Sequence, residues 1–248
     1  MKEIAEHIHL TPRALEQVFF LNEKIATHAT GISIREAIFE DVIELFDADF
    51  ASTFLWDAVS RSSRNGKAFR IPQEMMDTYE EHLQPIDPHT GPMRSYRRAV
   101  LAEEVMPYEE LRRTAFHHEF LGPIGMSSGL NMFLFDGAED IGDFRLWRSD
   151  DREPFSEADR LLLNAFKEPI ERAAIRQRVT YAGLTPREVD VALLVARGCR
   201  DMDIARVLDI STATVRTHLS HAMEKRGCAN RAELAFSITT SYPASNDR

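Results

Sequence analysis

The chain has 248 residues, 44% of them apolar and 28% charged, with a formal net charge of −10; this is the make-up of a soluble globular chain long enough for two domains. No apolar run approaches the roughly 18 residues that span a bilayer, and the opening Met1-Lys2-Glu3-Ile4-Ala5-Glu6-His7 lacks the apolar stretch of a secretion signal. The two cysteines, Cys199 and Cys228, form neither a disulfide framework nor a Cys-x-x-Cys pair, so a reducing, cytoplasmic setting is expected, with no structural metal.

Thr11-Pro12 reads as a capped helix start, and Leu15, Val18, Phe19 and Ile25 give the run to Thr27 an apolar side. Ser33-Ile34-Arg35-Glu36 is a capping box opening an amphipathic stretch through Phe46. Strand character follows at Phe50–Trp56 and Ala68–Ile71, with Ser62-Ser63-Arg64-Asn65-Gly66 expected as the turn between them. Helical patterns resume at 72–84 and 107–120, each beginning at a proline. Leu130–Phe135 and Asp143–Trp147 read as a strand pair joined by Asp136-Gly137-Ala138-Glu139-Asp140. A long helix is expected from Ser156 towards Val179, with Pro169 unable to donate its backbone bond. The class is therefore α+β: an N-terminal α/β/α sandwich with an antiparallel sheet over residues 1–175, a link at 176–183, and an all-α unit at 184–248.

The last segment has short helices with sharp punctuation. Thr185-Pro186-Arg187-Glu188 is a complete helix start; Val189, Ala192, Leu193 and Ala196 mark one side, and Gly198 ends the helix. Ile204, Ala205, Val207 and Leu208 give a second helix, Asp209-Ile210-Ser211 a tight turn, and Ser211 the cap of a third reaching Arg226 before Gly227. Asn230-Arg231-Ala232-Glu233 opens a fourth. Small Ala205 allows close approach of two helices, with Ile204, Leu208, Ile210, Val215 and Leu219 as shared core. That spacing is a helix-turn-helix over about 201–220, whose second helix enters a major groove. Val215, Leu219 and Ala222 face inward at i, i+4 and i+7, while Arg216, Thr217 and Ser220 lie on the other side. Charge alone does not suggest DNA: residues 184–248 carry nine basic and eight acidic side chains, leaving −11 on residues 1–183. Affinity follows where positive charge sits rather than its sum.

On these residues, 184–238 resembles the DNA-binding domain of LuxR/NarL-type bacterial regulators. The likeness rests on Leu184-Thr185-Pro186-Arg187-Glu188, Ile204-Ala205, Leu208, Ile210-Ser211, Thr214-Val215-Arg216-Thr217-His218, Lys225-Arg226-Gly227 and Asn230-Arg231-Ala232-Glu233-Leu234. It implies base contacts from Arg216, Thr217 and Ser220 and backbone contacts from Thr212, Thr214, His218 and Lys225. Val215, inside the same motif, is counted with this DNA-binding set. The family often has lysine where this chain has Asp201-Met202-Asp203 and Ala213. Fewer phosphate partners imply modest affinity per monomer and reliance on a homodimer.

For the sensor half, no acidic pair after an N-terminal strand is present, so phosphoryl control is not expected. Residues 75–88 resemble the autoinducer-binding domain of quorum-sensing regulators, with Tyr79 preceding Asp87-Pro88 and Met75 where that family has tryptophan. The stretch Phe144-Arg145-Leu146-Trp147-Arg148 … Phe155-Ser156 … Asp159 is more similar to GAF- or PAS-like sensors. Tyr79, Asp87 and Met75 are candidate ligand-binding residues; Asp87-Pro88 can equally cap a turn. His117-His118-Glu119 does not form a metal site, because adjacent histidines on a helix diverge. No nucleophile elbow, phosphate loop or metal series points to an enzyme or a cofactor. The expectation is a homodimeric transcription factor on a double-stranded operator, with RNA polymerase as a further partner and an unidentified small ligand or a protein as its signal. The alternative is an interaction protein that sequesters a related regulator without touching DNA, favoured by Asp201, Asp203 and Ala213.

Overall fold

A computed structural model describes residues 10–28, 33–57 and 60–240, leaving aside the side chains of 178–180 and 239–240; the opening Met1–His7 lies outside the described residues. The chain divides into two compact units, the first holding residues up to Thr27 and from Ile34 to Arg172, the second His28–Ser33 and Ala173 onward.

The first unit begins with helix α1 (Pro12–Thr27), whose Leu21 and Ile25 are buried. Thr11 Oγ1 accepts from Ala14 N at 3.2 Å, which is the cap expected there. Helices α2 (Ile34–Ala37) and α3 (Phe39–Leu45) follow, and Lys24 ties α1 to α3 through Asp41 at 2.6 Å. Strands β1 (Phe50–Asp57) and β2 (Ser62–Phe69) form an antiparallel pair. The Ser62–Gly66 segment expected as a turn is thus a strand. Its Asn65-Gly66 pair serves a bulge instead: the register shifts between Thr53 and Leu55, and Asn65 has φ 53°. A Cβ on Gly66 would stand 2.6 Å from the Phe54 ring, so that position needs glycine.

Helix α4 (Gln73–Thr78) continues through a wide turn at Tyr79–Leu83 and a tight one at Gln84–Ile86. Then come α5 (Thr90–Ser95), β3 (Val100–Leu101), α6 (Ala102–Val105) and α7 (Tyr108–Leu111). The helix expected over 107–120 is interrupted after Leu111 and resumes as a wide turn at His117–Leu121 and α8 (Gly122–Ile124). Strands β4 (Met126–Asp136) and β5 (Glu139–Ser149) make the long central hairpin, extending the expected pair at both ends. The sheet order is β2-β1-β5-β4-β3, antiparallel throughout its pairings.

Side-chain alternation gives this sheet two buried faces. Phe54, Phe133, Phe135 and Trp147 point to one, where Met76, Tyr79, Leu83, Phe116 and Phe120 cover them. Ala51, Leu130, Met132, Leu134, Phe144 and Leu146, of opposite parity, are also buried. Helix α9 (Glu157–Thr180) carries buried Leu163, Phe166 and Ile170 and hydrogen-bonds the β4 end through Glu171 to Phe135 N at 2.7 Å. It runs through Pro169 and on to Thr180, so residues 176–180 of the expected link are helical. The first unit is the α/β/α sandwich anticipated from the element pattern.

The second unit is all-α: α10 (Pro186–Ala196), α11 (Asp201–Leu208), α12 (Thr212–Arg226) and α13 (Arg231–Thr240). Its core joins Val191, Ala192, Val195, Ile204, Val215, Leu219, Ala222 and Leu234.

Candidate nucleic-acid interface and sensor cavity

The α11–α12 corner is fixed by local chemistry. Asp209 ends α11 in the left-handed conformation at φ 52°, Ile210 packs against the core, and Ser211 Oγ accepts from Thr214 N at 3.0 Å to cap α12. Gly227, φ +64°, closes α12. At the entry of α10, Thr185 N donates to Glu188 Oε2 at 2.8 Å, and Glu188 N points back at Thr185 Oγ1.

Along α12, Val215 and Ala222 are 0% exposed and Leu219 is 8% exposed. Val215 therefore leaves the DNA-facing set: a side chain wholly inside the core cannot reach a base edge. Arg216, Thr217, Ser220 and Thr212 are exposed, and Thr214 and His218 half-buried at the flanks. The Arg216 side chain is 74% exposed, and its Nε donates to Asp201 Oδ2 at 3.3 Å. Thr217 Oγ1 bonds back to the Ala213 carbonyl at 3.1 Å. Lys225 is engaged inside the unit, its Nζ 2.7 and 3.0 Å from the two oxygens of Glu188. The outer side of α12 thus offers a guanidinium and hydroxyls of the kind that read base edges and phosphates.

In the first unit, Tyr79 and Asp87 come together beside a cavity of about 20 Å³, room for about one water molecule. The Tyr79 hydroxyl donates to Asp87 Oδ2 at 2.9 Å. Asp87 also caps the following turn, accepting from His89 N at 2.8 Å, Thr90 N at 3.2 Å and Thr90 Oγ1 at 2.6 Å. Asp87 is therefore the turn cap that its place before Pro88 allows, and it also lines the cavity. Met75 packs at the edge of the aromatic core and is not among the residues lining the cavity.

Sequence reasoning passed over the group at the centre, Arg145. Its guanidinium bonds Asp143 Oδ2 at 2.7 and 3.0 Å, Ser63 Oγ at 2.8 Å, and the Tyr79 hydroxyl. Burial works against its charge, but Asp143, Tyr79 and Asp87 outweigh burial and raise its pKa. Burial likewise pushes the Tyr79 hydroxyl well above the phenol range, Arg145 opposing and Asp87 adding to the shift. The available signal was parity: Arg145 alternates with Asp143 and Trp147 on a strand, so its charge had to point the same way as the tryptophan. Also missed were His89 and Asn131, each 1% exposed and lining the cavity. Neither ring nitrogen of His89 nor Asn131 Oδ1 has a hydrogen-bond partner among the described residues. Burial lowers the His89 pKa against the pull of Asp87, whose Oδ1 lies 4.0 Å from Nδ1.

The adjacent His117 and His118 rings stand edge to face with centroids 5.9 Å apart. Among the described residues, no group of three or more His, Cys, Asp or Glu side chains could hold a metal ion. No helix among the described residues is long and apolar enough to cross a membrane.

A helix-turn-helix pair with an exposed arginine-and-hydroxyl face, carried on a chain with a separate α/β/α unit, defines a DNA-binding transcriptional regulator. Residues 182–238 match the family model described as bacterial regulatory proteins, luxR family. The monoamine regulon transcriptional regulator of Klebsiella aerogenes is 30% identical over 161 residues, which are 63% of this chain and 69% of that protein. The nitrate/nitrite response regulator NarL of Escherichia coli K12 is 44% identical over 52 residues, 21% of this chain and 24% of that one. The chain belongs to the luxR family. Among solved structures, Escherichia coli SdiA aligns over 92% of this chain and 97% of its own, at 17% identity and a TM-score of 0.45. The N-acylhomoserine lactone-dependent CepR2 of Burkholderia cenocepacia aligns over 66% and 94%, at 20% identity and a TM-score of 0.49.

Proposed function

We propose that residues 1–175 sense a small ligand, and that this controls how a homodimer places its two 184–248 segments on an inverted-repeat operator. The observation that carries ligand control is the pair His89 and Asn131, buried polar groups with unmet hydrogen-bonding capacity on one cavity. Leaving such a group unpaired costs about 1–3 kcal/mol, which a bound polar molecule would recover. Tyr79 and Asp87 line the same cavity, while Met75 would act only by shaping the core beside it. The cavity is small, so entry of anything larger than water requires the aromatic wall to move.

On the DNA side, Arg216 forms a fork to guanine, Thr217 and Ser220 meet base edges, and Thr212, Thr214 and His218 meet phosphates. Lys225 reaches a phosphate only by leaving Glu188. Half-sites lie about one helical turn apart, matching a two-fold dimer. The chain works as a regulator rather than an enzyme, in the cytoplasm, with RNA polymerase as its downstream partner.

The test is mass spectrometry of small molecules retained by the purified full chain, followed by operator binding with and without the molecule found. A change in operator affinity supports the reading. Equal affinity in both states overturns ligand control.

A further inference from the structure

Asp201 is an acidic residue placed where a DNA-binding surface would gain from a base. It opens α11, and its carboxylate is held from behind: Arg231 Nη1 donates to Oδ1 at 2.6 Å, while Arg231 Nη2 donates to the Cys199 carbonyl. The other oxygen, Oδ2, faces α12 and accepts from Arg216 Nε at 3.3 Å. The hydrogen bond from Arg231, and then that from Arg216, hold Asp201 below the ordinary carboxylate range against the opposing effect of burial. Arg231 therefore anchors the carboxylate, and the carboxylate anchors Arg216.

This arrangement bears on how Arg216 reads DNA. An exposed arginine is rotamer-rich, and ordering it on a base opposes binding. With Nε engaged by Asp201, the two terminal nitrogens remain as the fork that spans guanine O6 and N7. The same negative charge, next to the arginine, disfavours its capture by any passing phosphate. Asp203, two residues on, differs: its carboxylate takes the Arg200 backbone N–H at 3.4 Å, within its own helix start.

We infer that Asp201 is a positioning residue for sequence reading: it holds the Arg216 fork outward and lowers general DNA affinity while sharpening discrimination at one base pair. This rests on the operator-binding reading given above, which assigns Arg216 to a base.

The test uses the full chain and a random-sequence DNA duplex library, enriched with wild type, Asp201→Asn, Asp201→Glu, Asp203→Asn, Arg216→Ala and Asp201→Asn/Arg216→Ala. Each protein is then titrated against the enriched duplex, its single-base-pair variants and an unrelated duplex, with thermal unfolding as the folding check. Asp201→Asn is expected to bind the unrelated duplex several-fold tighter and to lose about tenfold of the preference at the Arg216 base pair. Asp203→Asn is expected to strengthen binding to all duplexes alike and leave that preference unchanged. Asp201→Glu keeps the charge but displaces it, and is expected to lose preference without gaining general affinity. In the Arg216→Ala background, Asp201→Asn is expected to add nothing at that base pair.

Indistinguishable Asp201→Asn and Asp203→Asn profiles would overturn the inference, as would full preference in a folded Asp201→Asn or Asp201→Glu protein. If Asp201→Asn does not fold, Asp201→Glu decides. If Arg216→Ala relaxes one base pair and the Asp201 variants do not, this inference alone fails. If wild type enriches no sequence, the operator reading fails and takes the inference with it.

Discussion

Lys225 Nζ sits 2.7 Å from Glu188 Oε2, joining the last turn of α12 to the first turn of α10 across 37 residues of sequence. Glu188 is itself almost fully buried, with its side chain 4% exposed, and also receives the Thr185 N–H. One carboxylate thus serves both the cap of α10 and the last turn of α12. Burial raises its pKa, but the hydrogen bonds from Lys225 and Thr185 outweigh that and the net shift is downward from 4.5. The stabilisation is complete above the ordinary value of 4.5 and is lost as pH falls through the lowered one. Glu188→Ala is expected to cost about 1–3 kcal/mol at neutral pH through the lost cap and charge-assisted bond. Urea unfolding by circular dichroism between pH 7 and strongly acidic buffer should show wild type and variant converging at the acid end.

Arg216 and Val215 are neighbours in sequence with opposite surroundings, so their substitutions should separate binding from folding. Arg216→Ala is expected to weaken operator binding by about 1–3 kcal/mol and relax one base pair, with the thermal midpoint unchanged. Val215→Ala is expected to destabilise the fold by about 1–3 kcal/mol by opening a cavity in the second unit's core. Mobility-shift titration and thermal unfolding of each variant check the pair. An Arg216→Ala protein that unfolds early, or a Val215→Ala protein of full stability, contradicts the assigned faces.

His89 gives the first unit a pH dependence of its own, at milder acidity than that of Glu188 in the second. Its folded pKa lies below the ordinary 6.5 because burial disfavours the charged ring. Below pH 6.5 the unfolded chain takes up a proton that the native ring refuses, so stability is complete above that pH and declines as pH falls towards the lowered value. His89→Gln should flatten this decline. Urea midpoints for both proteins at pH 8, 7, 6 and 5 isolate the difference from the chain's other histidines; parallel curves would remove His89 from the account.

Gly129 lies under the Trp147 ring. A Cβ there would stand 2.8 and 2.9 Å from two ring carbons and 3.1 Å from Ala102 Cβ. Gly129→Ala is therefore expected to displace the indole and cost about 1–3 kcal/mol. Tryptophan emission and the urea midpoint should shift together, and an unshifted emission would show that the ring has room.

Legibility differed between the two units for a physical reason. In the second, Thr185, Gly198, Ser211, Gly227 and Asn230 act through bonds or dihedrals within a few residues, so each element start and stop is written locally. In the first, Asn65-Gly66 carries the same local signal as a hairpin turn but serves a bulge, because Thr53 pairs with Lys67 and Leu55 with Arg64, leaving two residues opposite Phe54. Residues 97–105 carry no local signal because their order comes from afar: Ala99 N finds its acceptor in Asn164 Oδ1 at 3.0 Å, 65 residues later. Resemblance points to Tyr79 and Asp87, which bond each other directly, yet the guanidinium beside both, Arg145, sits on a strand 58 residues beyond Asp87. No window of local sequence contains that relation.

The bonding around Arg145 also bears on how this protein can diverge. Exchanging the arginine alone strands the Asp143 carboxylate, and exchanging Asp143 alone strands the guanidinium, each a loss of about 3–5 kcal/mol for a buried pair broken from one side. Ser63 and Tyr79 complete the same set. Single-step drift is thereby closed at these positions, and descendants of this chain should inherit the set whole or replace it in concert, while the exposed positions of α12 lie outside any such buried set.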